Sequence, residues 1–436
     1  MHDSVKKGRN MKRKSMVAVC IAAMAFRAAF AAWEPGEPVV SYWGGPGWMS
    51  GNSQCPPLNE TWVKQLKEGG FNVAWAATPA DLDLLAKYGM RAIYKPNFIN
   101  YGLEFMDPAK EKAAIEELRR AKGHPALYVY QLRDEPSAKR FASVAREVEW
   151  LRRVDPDHAA WINLLPTYAN NEQLGVEGDI IRAYWEHVRL FGEIVRPDFI
   201  THDHYQFKKT GDGPNYFLNL GIIRQSASAR RIPFWNGVQS CTWVPGKLAS
   251  PRSPRIPGPD EMRFLVYTTA AYGAHGIYYY VYSRRGHDGA IVEMDGTPSD
   301  KFEVLKTLNR EFVSIARILS RLKFTGAYFQ GRHPPGTTPY CAQALLELTP
   351  ETPFAELEDL QDLADTTLVS RFDAPRRPPC LMVVNCDYRK DRTIHVKAPA
   401  PMLRFDALER TWSPVGAEFD LALVRGGGVL LRVGNK

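Results

Sequence analysis

What this chain has little of narrows its function before any motif is read. It carries six cysteines in 436 residues, and Cys20 lies in an amino-terminal stretch with the marks of a leader. Cys55, Cys241, Cys341, Cys380 and Cys386 form no C-x-x-C pair, so no zinc site is expected. If "CLMVVNC" is one strand, Cys380 and Cys386 lie about 20 Å apart at roughly 3.3 Å per residue, beyond disulfide reach. Export permits one bridge without identifying it.

Long apolar runs are also missing. The run from Met16 to Phe26 in "MHDSVKKGRNMKRKSMVAVCIAAMAFRAAFA" is about half the 20 or so residues that cross a bilayer. With a basic flank before it and small Ala29 and Ala31 after it, residues 1–31 read as a secretory signal peptide cut after Ala31. The mature protein is expected to be secreted or periplasmic, with no membrane span. Strong net charge is absent too, because Lys6, Lys7, Arg9, Lys12, Arg13, Lys14 and Arg27 against Asp3 leave only +2 of the formal +8 to the remaining chain. A near-neutral surface gives no reason to expect nucleic acid as a partner. The "GGPG" at Gly44–Gly47 lacks the Lys-Ser/Thr of a phosphate loop and reads as a turn.

What is present is a large apolar complement, 45% of residues with 11 tryptophans, enough to fill a sizeable core. Between about 38 and 322, short β-rich runs alternate with helical stretches such as "PAKEKAAIEELRRAKG" and "IIRAYWEHVRLFGEIV". The β-rich runs are "VVSYWG", "FNVAWAA", "RAIYKPN", "ALYVYQL", "AAWINLL", "DFITHDHY", "IPFWNGVQ" and "HGIYYYVY". Eight βα units close into a (β/α)8 TIM barrel, an α/β architecture. Residues 323–436 then turn to Pro-rich loops and β-patterned runs, which predicts a small all-β sandwich domain, with 332–366 the least patterned part.

In such a barrel, chemistry sits at the carboxyl ends of the strands. Those ends supply Asp134 and Glu135 after the fourth run, His202, Asp203, His204 and Tyr205 at the sixth, Asn236 and Gln239 at the seventh, and Tyr280 and Tyr282 at the eighth. Trp43, Trp48, Trp75, Trp235 and Trp243 fall near the same rim. Carboxylates among aromatic rings suit a sugar, whose C–H faces stack on indole while its hydroxyls need dense hydrogen bonding. Cleaving a glycosidic bond needs an acid for the leaving oxygen and a second group for the oxocarbenium centre. Glu135 is the candidate acid, with Asp134 and Asp203 as its partners. Trp43, Trp75, His202, His204, Tyr205, Trp235, Asn236, Gln239, Tyr280 and Tyr282 are candidate sugar contacts. The plain reading of Asp134 is a helix cap in "DEPSAKRF"; that of the tryptophans is core. His202 and His204 share a strand face, but no third ligand is fixed by spacing, so neither metal nor cofactor is expected.

The stretch "GHPALYVYQLRDEP" resembles the fourth-strand signature of clan A barrel glycoside hydrolases, which include the family 42 β-galactosidases. In that clan the Glu before Pro is the acid/base, usually preceded by Asn, where this chain has Asp134. "PDFITHDHY", "PFWNGVQS", "EMRFLVYTTAAYGAHGIYYYVY" and "LMVVNCDYRKDRTIHV" extend the resemblance to secreted bacterial glycosidase-like proteins of barrel-plus-sandwich build. The resemblance implies a β-linked sugar or oligosaccharide as substrate. It also implies a nucleophilic Glu on strand seven, where this chain offers Gln239, a poor nucleophile. The adjacent Asp-Glu pair is similar to that of family 123 N-acetyl-β-hexosaminidases, in which the Asp orients the substrate's own acetamide. Alternatively, Asp203 could activate water for inversion. A non-catalytic carbohydrate-binding barrel is the competing class, and a structural barrel in an envelope assembly a third. Oligomeric state is not legible in the sequence.

Overall fold

The computed structural model describes residues 33–434 apart from 49–53, 97–106, 244–249, 251–252, 333, 335–336, 340–346 and 350–364. The expected leader and Cys341 lie outside the described residues.

Eight parallel strands form the barrel: β1 (Val39–Trp43), β2 (Val73–Ala76), β3 (Arg91–Tyr94), β4 (Leu127–Asp134), β5 (Ala159–Leu164), β6 (Ile200–Asp203), β7 (Phe234–Gln239) and β8 (Gly276–Tyr280). Each lies within or overlaps its expected run. The helices between and after them are α1 (Glu60–Glu68), α2 (Pro79–Lys87), α3 (Pro108–Ala121), α4 (Phe141–Val154), α5 (Ile180–Leu190), α6 (Tyr216–Arg230), α7 (Pro259–Ala271) and α8 (Asp300–Leu319). Local chemistry sets several of their starts. Thr78 and Asp81 form a reciprocal capping box with Pro79 in the first turn of α2, and Asp107 caps α3 ahead of Pro108.

The ladder runs β1–β8–β7–β6–β5–β4–β3–β2. Asn72 closes the remaining seam between β1 and β2. Its N–H donates to the Val40 carbonyl at 3.2 Å, its side-chain oxygen accepts from Val40 N at 2.9 Å, and its amide donates to Pro38 O at 2.8 Å.

Indoles fill the barrel. Trp161 has ring centroids 5.4 Å from Trp43, 5.3 Å from Trp75, 5.6 Å from Trp235 and 5.2 Å from Tyr278. Trp75 and Trp235 are fully buried and Trp43 nearly so, which corrects the expectation that these three line the rim as sugar platforms. Their rings are spent on the interior layers that keep a barrel from being a pore.

After α8 the chain forms β9 (Lys323–Gln330), β10 (Thr367–Ala374), β11 (Arg377–Asn385), β12 (Arg392–Asp406), β13 (Thr411–Leu423) and β14 (Gly428–Val433). These make an antiparallel sheet that folds over where β12 changes register between Lys397 and Leu403. The result is the sandwich. Val369, Leu381, Val383, Val429 and Leu431 from one layer meet Ile394, Val396, Leu421 and Leu423 from the other. The alternate residues Leu368, Cys380, Met382, Val384 and Leu430 join the barrel core instead. Strands covered on both faces read as continuous apolar runs, which is why "CLMVV" has no polar alternation. Cys55, Cys241, Cys380 and Cys386 are buried free thiols. Among the described residues no helix is long and apolar enough to cross a membrane.

Candidate active site

β4 runs two residues past the expected "ALYVYQL", because a register shift between Gln131 and Arg133 brings Asp134 opposite Asn163 of β5. Asp134 does not cap a helix; it accepts from Asn163 Nδ2 at 3.4 Å. Glu135 follows with φ +47°, in the left-handed region, and its N–H donates to the Asn163 carbonyl at 2.9 Å. A non-glycine residue held there carries strain of about 1–2 kcal/mol, and such outliers gather at functional sites.

Asp203 ends β6 on the same side. It is 6% exposed and accepts from the Tyr205 hydroxyl at 2.6 Å. Asn163 is the hinge of the arrangement: its oxygen accepts from Tyr278 at 2.6 Å, while Tyr278 also donates to the His202 carbonyl at 3.0 Å. Tyr278 crosses the barrel only because residue 237 has no side chain. A Cβ there would lie 2.6 Å from Asp203 Cβ and 2.7 Å from the Tyr278 oxygen.

The three carboxyl groups feel one another. Asp134 and Glu135 are open to solvent, yet they sit in a concave mouth that thins the surrounding water. Glu135 is pushed well above the carboxylate range, first by that loss of solvent and then by the charges of Asp203 and Asp134. Asp203 is also raised, by burial first and by Asp134, against the Tyr205 hydrogen bond. Asp134 is raised by burial but opposed by Asn163, Lys95 and Arg284. Three carboxylates in one mouth cannot all ionise cheaply, so protons stay on Glu135 and Asp203 into the neutral range.

Aromatic rings line part of this mouth. Tyr205 meets Trp243 at 4.9 Å and Tyr280 at 5.1 Å, and the Tyr280 hydroxyl pairs with His287 Nε2 at 3.1 Å. Tyr168, in the loop after β5, keeps 48% of its surface open while its hydroxyl accepts the Tyr205 N–H at 3.3 Å. Lys208 lies 4.6 Å from the Tyr168 ring centre, and burial pulls its pKa down to about 8.

The structure therefore brings Asp134, Glu135, Asp203, Tyr205 and Tyr280 together. It places the other expected contacts elsewhere. His202 and Asn236 face the helices, with Asn236 donating to Thr269 of α7 at 2.7 Å. Burial holds His202 and His204 neutral, each down to about 3, and His204 packs 5.1 Å from Tyr168. Tyr282 is buried and donates to Gln65 at 3.0 Å. Gln239 is fully buried and consumed by backbone: Phe207 N donates to it at 2.9 Å, and it donates to Phe207 O at 3.0 Å and Arg255 O at 2.9 Å. Asn163, Tyr168, Lys95, Lys208 and Arg284 were missed; only Asn163 left a signal, as the lone polar residue in "AAWINLL". Among the described residues no group of three potential ligands could hold a metal.

No family model matches the chain, and no curated protein matches its sequence. Solved structures resemble it weakly. A β-galactosidase from the haloarchaeon Halorubrum lacusprofundi is 13% identical, with 63% of this chain and 58% of that one covered and a TM-score of 0.39. A β-galactosidase from Marinomonas ef1 is 9% identical, covering 65% and 62%, TM-score 0.44. A GH27 β-L-arabinopyranosidase from Geobacillus stearothermophilus is 9% identical, covering 94% and 100%, TM-score 0.48. The chain spans under two thirds of the length of those two β-galactosidases. The barrel stands on its own strand pairing.

Proposed function

We propose that this protein is a glycoside hydrolase in which Glu135 protonates the leaving oxygen of a β-linked sugar. The observation that carries the reading is Glu135 itself: a strained, solvent-open carboxyl at a barrel strand end, kept protonated by its surroundings and faced by two more acids. A general acid must hold a proton at working pH and reach the bond, and these are the two properties the setting confers. Asp134 is also raised by burial, but of the three acids it is the one whose rise Asn163, Lys95 and Arg284 all oppose, which favours its charged form. It can steady an oxocarbenium centre or orient a substrate acetamide, while Asp203 can take a proton from water only once it has given up its own, which its raised pKa defers to neutral pH and above. The β linkage rests on the clan resemblance of "YVYQLRDEP". Export through the leader belongs to the same proposal.

A second reading has its own observation. Gln239 stands where the clan keeps its nucleophile and is locked into backbone hydrogen bonds, which suits a barrel that binds glycans without cleaving them. Incubating the purified protein with a glycan panel separates the two. Release of reducing sugar supports the hydrolase, whereas retardation on glycans without release supports the binding barrel.

A further inference from the structure

Beside the three acids lies a cluster made only of donors. Lys95, just past β3, has its ammonium 5.1 Å from the ring centre of Trp48, and Arg284, in the loop after β8, has its guanidinium carbon 4.7 Å from the same ring. Trp48 is delivered there by the tight exit of β1. Gly47 has φ +77°, and a Cβ on it would strike the Trp75 carbonyl at 2.3 Å. Trp48 is only 8% exposed, and its indole N–H has no hydrogen-bond partner among the described residues. Arg284 gives one N–H to Gln54 at 3.0 Å, and its buried Nε has no partner among the described residues.

Indole, ammonium and guanidinium donate and cannot accept, so these groups cannot satisfy one another. Two cations over one indole also repel. Lys95 is held below its usual pKa, chiefly by burial and further by Arg284, with Asp134 opposing. If the pair existed only to keep Asp134 charged, an ion pair would be expected, yet among the described residues neither cation lies within 4.0 Å of a carboxylate. One acid against two cations leaves a local positive charge within the field of Asp134.

We propose that Trp48, Lys95 and Arg284 form the subsite for an anionic substituent of the sugar, a carboxylate or a sulfate ester, so that the glycan handled is an acidic one. The glycan comes from the hydrolase reading; the anion comes from the donor cluster. Both anion types present several acceptor oxygens, and guanidinium and indole N–H groups meet these with directed bonds.

Calorimetric titration of the full chain tests this, using glucuronate, galacturonate and glucose 6-sulfate beside glucose and galactose. The anionic sugars should bind at least tenfold tighter than their neutral parents, and the preference should shrink as salt is raised. Comparing uronate with sulfate tells which anion the subsite takes. Lys95→Met and Arg284→Met should each lower that preference at least fivefold, and Lys95→Arg should restore much of it; unchanged melting temperatures would show that the variants fold. Equal affinity for neutral and anionic sugars would overturn the subsite, even in a protein that hydrolyses neutral glycans. An anionic preference without turnover on any glycan would leave the subsite standing and defeat the hydrolase reading instead.

Discussion

The carboxamide of Gln239 is hydrogen-bonded in both directions to the backbone of Phe207, accepting its N–H at 2.9 Å and donating to its carbonyl at 3.0 Å. It thereby ties β7 to the short hairpin of Phe207–Lys208 and Gly211–Asp212, which carries Lys208 toward the mouth. Gln239→Glu should not recreate a retaining enzyme. A carboxylate there would face the carbonyls of Phe207 and Arg255 with no donor to offer, a loss of about 1–3 kcal/mol. The expected result is a lower melting temperature and no covalent glycosyl adduct by mass spectrometry. A stable variant that forms such an adduct would show that the position accepts a nucleophile.

The same hairpin is gripped from the sandwich. Tyr388 donates to Asp212 at 2.8 Å, and burial pushes the Asp212 carboxyl up to about 6 against that hydrogen bond. The contact ties the sandwich to the hairpin that carries Lys208. Tyr388→Phe should destabilise the protein by about 1–3 kcal/mol at neutral pH, the range for a buried acceptor left unsatisfied. The deficit should shrink as pH falls below about 6, where the folded-state Asp212 carboxyl takes up a proton and no longer offers the Tyr388 hydroxyl a charged acceptor. Thermal melts at several pH values check this, and a pH-independent deficit would contradict it.

Raised carboxyl pKa values carry a sign for stability. Where the folded state holds a proton that the unfolded state has lost, stability falls as pH rises from the unfolded pKa through the folded one. For Glu135 and Asp203 that window opens near the ordinary carboxylate range and extends upward. Glu135→Gln and Asp203→Asn should therefore melt higher than the natural protein at pH 8 and no higher at pH 4. Site residues that oppose folding are the usual mark of function set against stability. Variants that melt alike, or lower, at pH 8 would argue that these carboxyls are comfortable where they are.

Much of the barrel was legible because its strands are short apolar runs punctuated by helical stretches whose starts carry a cap and a first-turn proline, as at Thr78-Pro79 and Gly258-Pro259. The direction of each side chain was not. Barrel strands are covered on both faces, so β6 gives no alternation to show that Asp203 turns inward while His202 turns toward the helices. In β4 the register shift before Arg133 changes which residues face the mouth, and nothing in "YQLRDE" announces it. The tryptophans misled for a related reason. An indole at a strand end and one in the layer below differ by a residue or two, and the cluster around Trp161 needed the space. Tyr168 and Arg284 come from loops, whose path no periodicity records.

The central claim is that Glu135 gives its proton to the leaving group. The most direct measurement is turnover of Glu135→Gln on a natural glycan and on an activated aryl glycoside, with Asp134→Asn and Asp203→Asn measured alongside. Glutamine keeps the shape and removes the proton. The account predicts a loss of roughly 10²–10⁴-fold on the natural glycan, the scale of general acid catalysis, and a much smaller loss where the leaving group needs no help. Failure of Asp134→Asn confined to acetamido sugars would mark substrate assistance, and failure centred on Asp203→Asn would mark water activation. Near-natural turnover of the glycan by Glu135→Gln would contradict the account at its root.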